Sequence, residues 1–331
     1  MKDRRTFLKT LAAATAGIMV PYQTIQGIII SPVDQFGSLL PLRTLGKTNE
    51  KITMLGLGGA HIGMVEEKMA EQLIEAAMEG GIRFFDNAES YEKGLAEERY
   101  GKYLVPKYRD VSFIMSKTHA RDEKTAIERL EQSLKRMKTD YIDLWQMHGI
   151  GSTEDADGRI NGGMLEAMVK IKESGKVRFI GFTGHNDCFA HKYMLENTDV
   201  LDCCQMPINC FDPNYKSFIN NVLPILIEKN MGVIAMKTLS NGGFFGGTSH
   251  MKNGDEPRIV PGTASIEEAL HFVWSLPVSV ALTGAHDVKM LNEKIAIAKS
   301  FKQMTEEKRT ELVKRLADAG FEGEKVEFYK K

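Results

Sequence analysis

Residues 111 to 148 read VSFIMSKTHA RDEKTAIERL EQSLKRMKTD YIDLWQMH, and their pattern indicates the fold class of the chain. Two apolar runs, which begin near Val111 and Tyr141, flank a polar segment at residues 124 to 138. Within that segment the apolar residues recur at helical spacing, at Ala126, Leu130, Leu134 and Met137. A strand followed by an amphipathic helix and a second strand indicates a βα repeat, which is typical of a parallel sheet covered by helices.

The same alternation continues along the chain. The apolar runs begin near Ile52, Ile82, Val111, Tyr141, Val177, Val200, Val233 and Val278. Eight βα repeats in one α/β domain of this length favour a closed (β/α)8 TIM barrel, which we place at residues 40–331. The alternative is a doubly wound open sheet. Against it, residues 56 to 63 read GLGGAHIG and lack the G-x-G-x-x-G pattern that such a sheet carries after its first strand.

Two further segments flank the predicted barrel. The stretch from Leu42 to Leu57 is interpreted as an N-terminal β-hairpin around the turn residues Gly46 to Asn49. A final helix from about Thr305 to Ala319 and a polar tail follow the barrel, and the sequence assigns neither of them a role.

The composition is that of an ordinary globular protein without unusual charge. The 331 residues are 43% hydrophobic and 26% charged, with a formal net charge of −1. Such a chain has no strong positive field to attract a phosphate backbone, so we expect no nucleic-acid partner. The cysteines lack C-x-x-C spacing, and the adjacent pair points to opposite faces of an apparent strand, so we expect free buried thiols and no bound metal. They are Cys188, Cys203, Cys204 and Cys210.

The first 30 residues differ from the rest. Arg4 and Arg5 precede a small-residue, mildly apolar run that extends through Val20. This pattern predicts a twin-arginine export signal, whose apolar run is too short and weak to anchor the protein in a bilayer. The export machinery would then be a partner and the periplasm or cell exterior the location. The alternative is a basic N-terminal helix on a cytoplasmic protein.

Polar residues follow three consecutive apolar runs. Asp86 ends the second run with Tyr91 in the loop after it, Lys117 ends the third, and His148 ends the fourth. Each residue alone has an ordinary structural explanation. In a TIM barrel, however, the ends of consecutive strands adjoin on one face, where the chemistry of such barrels takes place. We therefore expect these four side chains to converge on one pocket.

Together the four groups could transfer a proton to a carbonyl compound. A phenol has a pKa of about 10, so Tyr91 needs a neighbouring cation to favour its phenolate, and Lys117 can supply one. Asp86 would hold the ammonium by a charge-assisted hydrogen bond. When hydride reaches a carbonyl carbon, negative charge develops on the oxygen, which Tyr91 would protonate while His148 donates to it and orients it.

These residues and their surroundings resemble the aldo-keto reductase family. The likeness rests on residues 81–91 (GIRFFDNAESY), 115–117 (MSK), 144–148 (LWQMH) and 181–184 (GFTG), and on Gln205 with Asn209, in the same order. The resemblance covers nearly everything after the leader and implies an NAD(P)-dependent oxidoreductase of aldehydes, ketones or sugars. The family's catalytic tetrad corresponds to Asp86, Tyr91, Lys117 and His148.

The resemblance also implies a nicotinamide dinucleotide extended across the barrel mouth. Its carboxamide would contact Thr183 and Gln205, its ring would pack on Met236, and Gly58 would lie beside it. The pyrophosphate would contact the loop Lys237, Thr238, Leu239 and Ser240. This chain departs from the common pattern, because Thr183-Gly184 replaces Ser-Asn and Met236 replaces an aromatic residue.

The adenosine end would be bound after the eighth strand. The candidate residues there are Gly284, His286, Lys289, Glu293 and Lys294. Glu293 is retained from the family pattern, while His286 and Lys294 stand in place of the usual arginine and asparagine. Either lysine could meet a phosphate as a point charge, so the resemblance favours NADP(H) over NAD(H).

Two glycine-bearing loops complete the expected site. Residues 240–262 are long for a βα connection and are interpreted as a mobile flap or a plain surface insertion. Residues 149–163 are expected to form a wall of the substrate pocket. Neither loop specifies a substrate, and the sequence does not specify an oligomeric state.

Two other functional classes remain open. One is a regulatory or sensor barrel that binds the nucleotide with little turnover. The other is a metal-dependent hydrolase that uses Asp86 and His148, although Lys117 would repel the ion. If the leader exports the protein, scarce free nucleotide outside the cytoplasm would require a tightly retained cofactor.

Overall fold

A computed structural model of the chain describes residues 32–245 and 263–330. Its centre is a closed barrel of parallel strands that neighbour one another in chain order, so the predicted (β/α)8 barrel is confirmed and the open sheet is excluded. The barrel strands are β5 (Leu55–Leu57), β6 (Phe84–Phe85), β7 (Phe113–Thr118), β8 (Ile142–Met147), β9 (Val177–Thr183), β10 (Cys203–Pro207), β11 (Gly232–Met236) and β12 (Val280–Thr283).

Helices surround the barrel and pack their apolar faces on the outer sides of the strands. In the described ranges the α-helices are α1 (Gly59–Met64), α2 (Glu67–Glu79), α3 (Leu95–Arg99), α4 (Val105–Tyr108), α5 (Glu123–Met137), α6 (Thr153–Asn161), α7 (Met164–Glu173), α8 (Cys188–Asn197), α9 (Phe218–Asn221), α10 (Leu223–Glu228), α11 (Ile266–Trp274), α12 (Val288–Lys299) and α13 (Glu306–Asp318). No helix among these residues is long and apolar enough to cross a membrane.

Local capping explains the ends of the two helices that the sequence predicted best. The side chain of Asp122 accepts a hydrogen bond from the Thr125 amide at the start of α5, and Lys138 ends the helix in the left-handed conformation. Thr305 caps α13 in the same way, by accepting from the Lys308 amide. Both predicted helices are therefore confirmed to within a residue or two.

The first barrel strand is β5, and not a strand beginning at Ile52. Ile52 belongs instead to the antiparallel hairpin of β3 (Leu42–Thr44) and β4 (Lys51–Thr53). From there it packs with Leu45 into the amino-terminal end of the barrel, against Phe84 and Phe113. Ile52 is thus apolar because it caps the barrel.

Other strand boundaries also differ from the sequence estimate. Val111 lies in a short 3₁₀ helix, Arg109–Val111, and Val200 is an exposed residue before β10. A second small hairpin, of β1 (Val33–Asp34) and β2 (Gly37–Ser38), was not predicted. Two Arg83 nitrogens donate to the Asp34 carboxylate and tie this hairpin to the barrel.

All four cysteines are free and buried, as the sequence indicated. Cys203 packs inside the barrel, whereas Cys204 packs among the helices outside it. The adjacent pair therefore does point to opposite faces of its strand.

The structure describes one of the two predicted loops completely and the other only in part. Residues 149–163 contain the nine-residue helix α6, whose amino end Ser152 caps by accepting from the Asp155 amide, so this segment is not a plain loop. Ser240–Phe245 forms a short 3₁₀ helix. The rest of the predicted flap, through Gly262, lies outside the described residues, and so does the predicted twin-arginine leader.

Candidate active site

Strand periodicity places the predicted catalytic side chains at the mouth of the barrel. Side chains alternate between the two faces of a strand, so Phe113, Met115 and Lys117 of β7 all point inward. Phe113 and Met115 belong to the apolar core inside the barrel, and Lys117 lies one layer above them. The same alternation brings Asp86 after β6 and His148 after β8 to the same level.

Lys117 is the centre of the polar network. Its ammonium donates to the Asp86 carboxylate, to the Asn87 carbonyl at 2.6 Å and to the Tyr91 hydroxyl at 3.0 Å. The Lys117 side chain is only 1% exposed. A buried ammonium needs such partners, because an uncompensated charge in the protein interior is costly.

Burial and neighbouring charges set the protonation of Lys117 and Tyr91. Burial lowers the pKa of Lys117, but the nearby Asp86 and Tyr91 outweigh it and raise that pKa overall. Burial also raises the pKa of Tyr91, and Asp86 adds to the increase, while Lys117 opposes it. The expected effect of Lys117 on the phenolate is therefore present but smaller than that of burial. Tyr91 carries its proton at neutral pH.

Backbone geometry holds Tyr91 over the barrel. Tyr91 begins a short 3₁₀ segment in which Glu92 and Lys93 both have positive φ, a conformation that is uncommon for residues with side chains. Below it, the Tyr100 hydroxyl donates to the Asp86 carbonyl at 3.1 Å, and the Asp86 amide donates to Leu57 at 2.9 Å. These contacts fix the position of Asp86, and the Tyr91 amide donates to the Ala88 carbonyl at 3.1 Å.

His148 completes the predicted group of four. Its ring lies edge-on to that of Tyr91, with centroids 6.0 Å apart at an interplanar angle of 85°. Burial holds the pKa of His148 well below its usual value, and Lys117 and His119 lower it further. His148 is therefore a neutral imidazole at neutral pH, which can donate one hydrogen bond.

Sequence reasoning missed several residues around these four. His119 stacks on His148, and Arg159 of α6 donates to the carbonyls of His148 and Ala120 at 3.4 and 2.8 Å. His119 directly follows the end of β7 and His185 comes two residues after the end of β9, positions that could have indicated them. Arg159 gave no such signal, because its helix was not predicted.

The residues expected to meet the nicotinamide lie side by side at the mouth. Thr183 and Gln205 are paired across β9 and β10, and the Thr183 hydroxyl is 4.0 Å from the Met236 sulfur. Gln205 Oε1 is buried and has no hydrogen-bond partner among residues 32–245 and 263–330. A buried acceptor without a donor is costly, so a ligand amide at this position fits the site.

Close backbone packing occurs where the first and eighth barrel strands meet. The Gly58 amide donates to the Thr283 carbonyl at 2.7 Å. A Cβ at Gly284 would lie 2.1 Å from the His61 ring, which stacks edge-on against His286. Only glycine at position 284 therefore lets the His61 ring approach the strand.

The charged residues after β12 that were predicted to bind the adenosine end do not point to one common site. Lys294 is buried and donates to the Gly284 carbonyl at 2.6 Å, and burial lowers its pKa to about 8. Lys289 and Glu293 are exposed. Lys289 lines a groove whose other charged residues are acidic, namely Glu71, Glu75, Glu79 and Asp287.

The residues predicted to contact the pyrophosphate, in the loop after β11, also differ from one another in burial and in bonding. The Thr238 hydroxyl donates to the Leu282 carbonyl at 3.2 Å and is buried. Lys237 donates to the Asn241 side chain at 2.8 Å, and burial, together with Lys117, lowers its pKa to about 8. Leu239 is partly buried against the core.

The described residues of this site are poorly suited to bind a metal ion. Within the described parts of the chain, no group of three or more histidine, cysteine, aspartate or glutamate side chains is placed to hold a metal ion. Asp86 is already bonded to Lys117, which would repel a cation.

Comparisons with known proteins agree with this geometry. The model of the aldo/keto reductase family matches residues 54–269. The uncharacterized oxidoreductase YqkF of Bacillus subtilis is 26% identical over 80% of this chain and 93% of its own length. L-galactose dehydrogenase of Arabidopsis thaliana is 30% identical over 61% of this chain and 66% of its own length.

Solved structures share the fold. The holo form of aldo-keto reductase AKR11C1 from Bacillus halodurans superposes with a TM-score of 0.69 at 22% identity, covering 83% of this chain and 96% of that one. The thermostable aldo-keto reductase Tm1743, solved with the inhibitor epalrestat, superposes with a TM-score of 0.65 at 24% identity, covering 83% of this chain and all (100%) of that one.

The barrel and its family match define an NAD(P)H-dependent reductase, an oxidoreductase that acts on small carbonyl compounds. More particularly, the chain belongs to the aldo/keto reductase family.

Proposed function

We propose that this protein transfers hydride between NADP(H) and a small carbonyl compound, with Tyr91 as the general acid in reduction. The observation that carries the proposal is the 3.0 Å hydrogen bond between the Lys117 ammonium and the Tyr91 hydroxyl, together with the bond from Lys117 to Asp86. A cation on the phenol and an acid on the cation form a proton-transfer unit at the mouth of the barrel.

The bound nicotinamide supplies or accepts the hydride at the carbonyl carbon. His148, neutral because it is buried beside Lys117, donates to the carbonyl oxygen and orients it. Tyr91 gives its proton to that oxygen as charge develops there, and Lys117 stabilises the phenolate that remains. Asp86 keeps Lys117 charged throughout. In the oxidative direction the phenolate of Tyr91 takes the proton from the alcohol.

The chain's own residues support a site for the dinucleotide. Thr183 and Gln205 would hold the carboxamide, Met236 would pack on the ring, and Lys237, Thr238 and Leu239 would line the pyrophosphate. The buried, unpartnered Gln205 Oε1 supports the first of these contacts, within the residues described. The proposed preference for NADP(H) over NAD(H) follows the family resemblance, with Lys294, which donates to the Gly284 carbonyl directly after β12, as the candidate cation.

The walls of the pocket favour a polar substrate. The His119 ring stacks on His148 at 4.3 Å, and both His119 and His185 lower the pKa of His148. Hydroxyl groups of a substrate need such partners when water is excluded. The relationship to L-galactose dehydrogenase supports a sugar or another polyhydroxylated carbonyl compound as the substrate class.

The location is a separate proposal. Arg4 and Arg5 before the apolar run support export by a twin-arginine route, with the folded protein carrying its nucleotide. Replacing both arginines by lysine should retain the protein in the cytoplasm, as cell fractionation would measure. An exported double variant would contradict the proposal.

Titration with NADPH and NADH tests the catalytic proposal, followed by nucleotide oxidation against a panel of aldehydes, ketones and oxidised sugars. Tight NADPH binding with turnover supports the proposed function. Binding without turnover of any compound would instead favour the sensor barrel. Failure of nucleotide-free protein to bind either nucleotide would overturn both.

A further inference from the structure

The carboxyl-terminal segment Val326–Lys330 is buried, although it follows a polar helix and a short 3₁₀ turn. Glu327 and Lys330 are at most 1% exposed and Tyr329 is 6% exposed. Polar and charged side chains are buried to this extent only where they have partners. The partners of this segment lie in the loops that follow β10 and β11.

Lys330 anchors the segment. Its ammonium donates to Asp212 at 2.5 Å, to Glu327 at 2.6 Å and to the Tyr215 carbonyl at 2.8 Å. Asp212 is fully buried and also accepts from the amides of Phe218 and Ile219. Without the ammonium, two buried carboxylates would lose their only cation among the described residues, so the segment would detach.

From this anchor the segment reaches the loop Lys237–Ser240. The Ser240 hydroxyl donates to the Val326 carbonyl at 2.8 Å. The Asn209 amide nitrogen lies 3.2 Å from the Lys237 carbonyl, 3.0 Å from Glu327 and 3.0 Å from the Tyr329 hydroxyl. Asn209 therefore joins the backbone of the loop to the segment.

That loop has a strained backbone. Lys237, Ser240 and Asn241 all have positive φ, at 55°, 51° and 52°. Residues with side chains rarely adopt this conformation, and they keep it only where their surroundings hold them there. The hydrogen bonds from Ser240 and Asn209 supply such restraint.

We propose that Val326–Lys330 clamps the loop Lys237–Ser240 in the conformation that retains the dinucleotide, with Lys330 as the positioning residue. The inference rests on the proposed function, because it assigns the pyrophosphate to this loop. Asp86 and Tyr91 follow β6, Lys117 is in β7 and His148 follows β8. Among the described residues none of these four side chains hydrogen-bonds to Val326–Lys330, although the Tyr329 ring lies 5.9 Å from the ring of His185. Loss of the clamp should therefore speed nucleotide release and leave the hydride-transfer step unchanged.

The test is the rate of NADPH dissociation, measured by stopped-flow fluorescence in Lys330→Met. We expect release about tenfold faster, equivalent to about 1.4 kcal/mol, with the single-turnover rate of carbonyl reduction unchanged. Arg109→Met is the matched control, because it removes a cation from buried Asp143 at the opposite end of the barrel. The control should lose stability and keep its release rate.

Tyr329→Phe provides a gentler second variant, since it removes only the hydroxyl that donates to Glu327 at 2.7 Å. A smaller increase in the release rate is expected, with a smaller loss of stability than in Lys330→Met. If the unaltered protein binds NADPH but both variants release it at the original rate, the clamp is disproved and the proposed function stands. If the unaltered protein binds no nucleotide, both fall.

Discussion

The imidazole rings of His119 and His148 lie nearly parallel, with centroids 4.3 Å apart and an interplanar angle of 19°. Burial lowers the pKa of both rings. Both imidazoles therefore stay neutral near the Lys117 ammonium. His148 can then act as an uncharged hydrogen-bond donor next to the phenol of Tyr91. The pH dependence of the reaction should therefore come from Tyr91.

The pH profile should differ between the two directions. Because the pKa of Tyr91 is raised above its ordinary value of 10.0, carbonyl reduction should stay level through neutral pH and fall only in strong alkali. Alcohol oxidation should instead rise with pH, since it needs the phenolate. Initial rates at saturating nucleotide measure both. A loss of reduction between pH 8 and pH 6, of about tenfold, would contradict the neutral His148.

Tyr91→Phe should lower kcat for reduction by roughly 10²–10⁴-fold, the usual contribution of a general acid. The ring is retained, so the Kd for NADPH should change little. Tyr103→Phe is the control, because that hydroxyl bonds Glu67 on the outer surface and is remote from the pocket. Turnover close to the original rate in Tyr91→Phe would rule out the proposed acid.

Lys117→Met should reduce both activity and stability. The substitution removes the cation beside Tyr91 and leaves the buried Asp86 carboxylate unpaired, which costs about 3–5 kcal/mol in comparable sites. Urea unfolding and kcat measure the two effects. Asp86→Asn added to Lys117→Met should restore part of the stability and none of the activity. Restored activity would show that the cation is not needed.

Acid should weaken the fold through His191. Burial lowers the pKa of this histidine from 6.5 to about 4, so the unfolded chain takes up a proton before the folded chain does. Stability is complete above pH 6.5 and falls towards pH 4, by an amount on the order of 3 kcal/mol. His191→Gln should reduce this slope, whereas Thr125→Val on the outer helix α5 should keep it. Equal slopes in all three proteins would exclude His191 as the cause.

Thr183→Val and Gln205→Leu should weaken nucleotide binding. Each removes a polar group from the paired ends of β9 and β10, and a lost hydrogen bond of about 1 kcal/mol corresponds to about a fivefold rise in Kd. Fluorescence titration with NADPH measures the change, and Thr125→Val on the outer helix α5 is the control. Unchanged affinity in both variants would place the carboxamide elsewhere.

The sequence predicted the barrel and the positions of four polar residues because both depend on local patterns. Asp86, Lys117 and His148 each end an apolar run, so strand periodicity was enough to bring them together. The sequence placed Ile52 at the start of the first barrel strand. This was wrong because the apolar pattern does not distinguish a residue that closes the end of a barrel from one in a barrel strand. The contact between Lys330 and Asp212 could not be predicted, because 118 residues separate them and no local pattern joins them.

Apolar side chains fill the amino-terminal end of the barrel. Ile52, Phe84 and Phe113 leave that end closed, with Phe113 stacked against Phe84 at 5.1 Å. Among the described residues, this end of the barrel therefore offers a substrate no path to Tyr91. Whatever reaches Tyr91 must pass between the loops at the other end and leave by the same route. A substitution that narrows this passage should slow arrival and departure alike, in whichever direction the reaction runs.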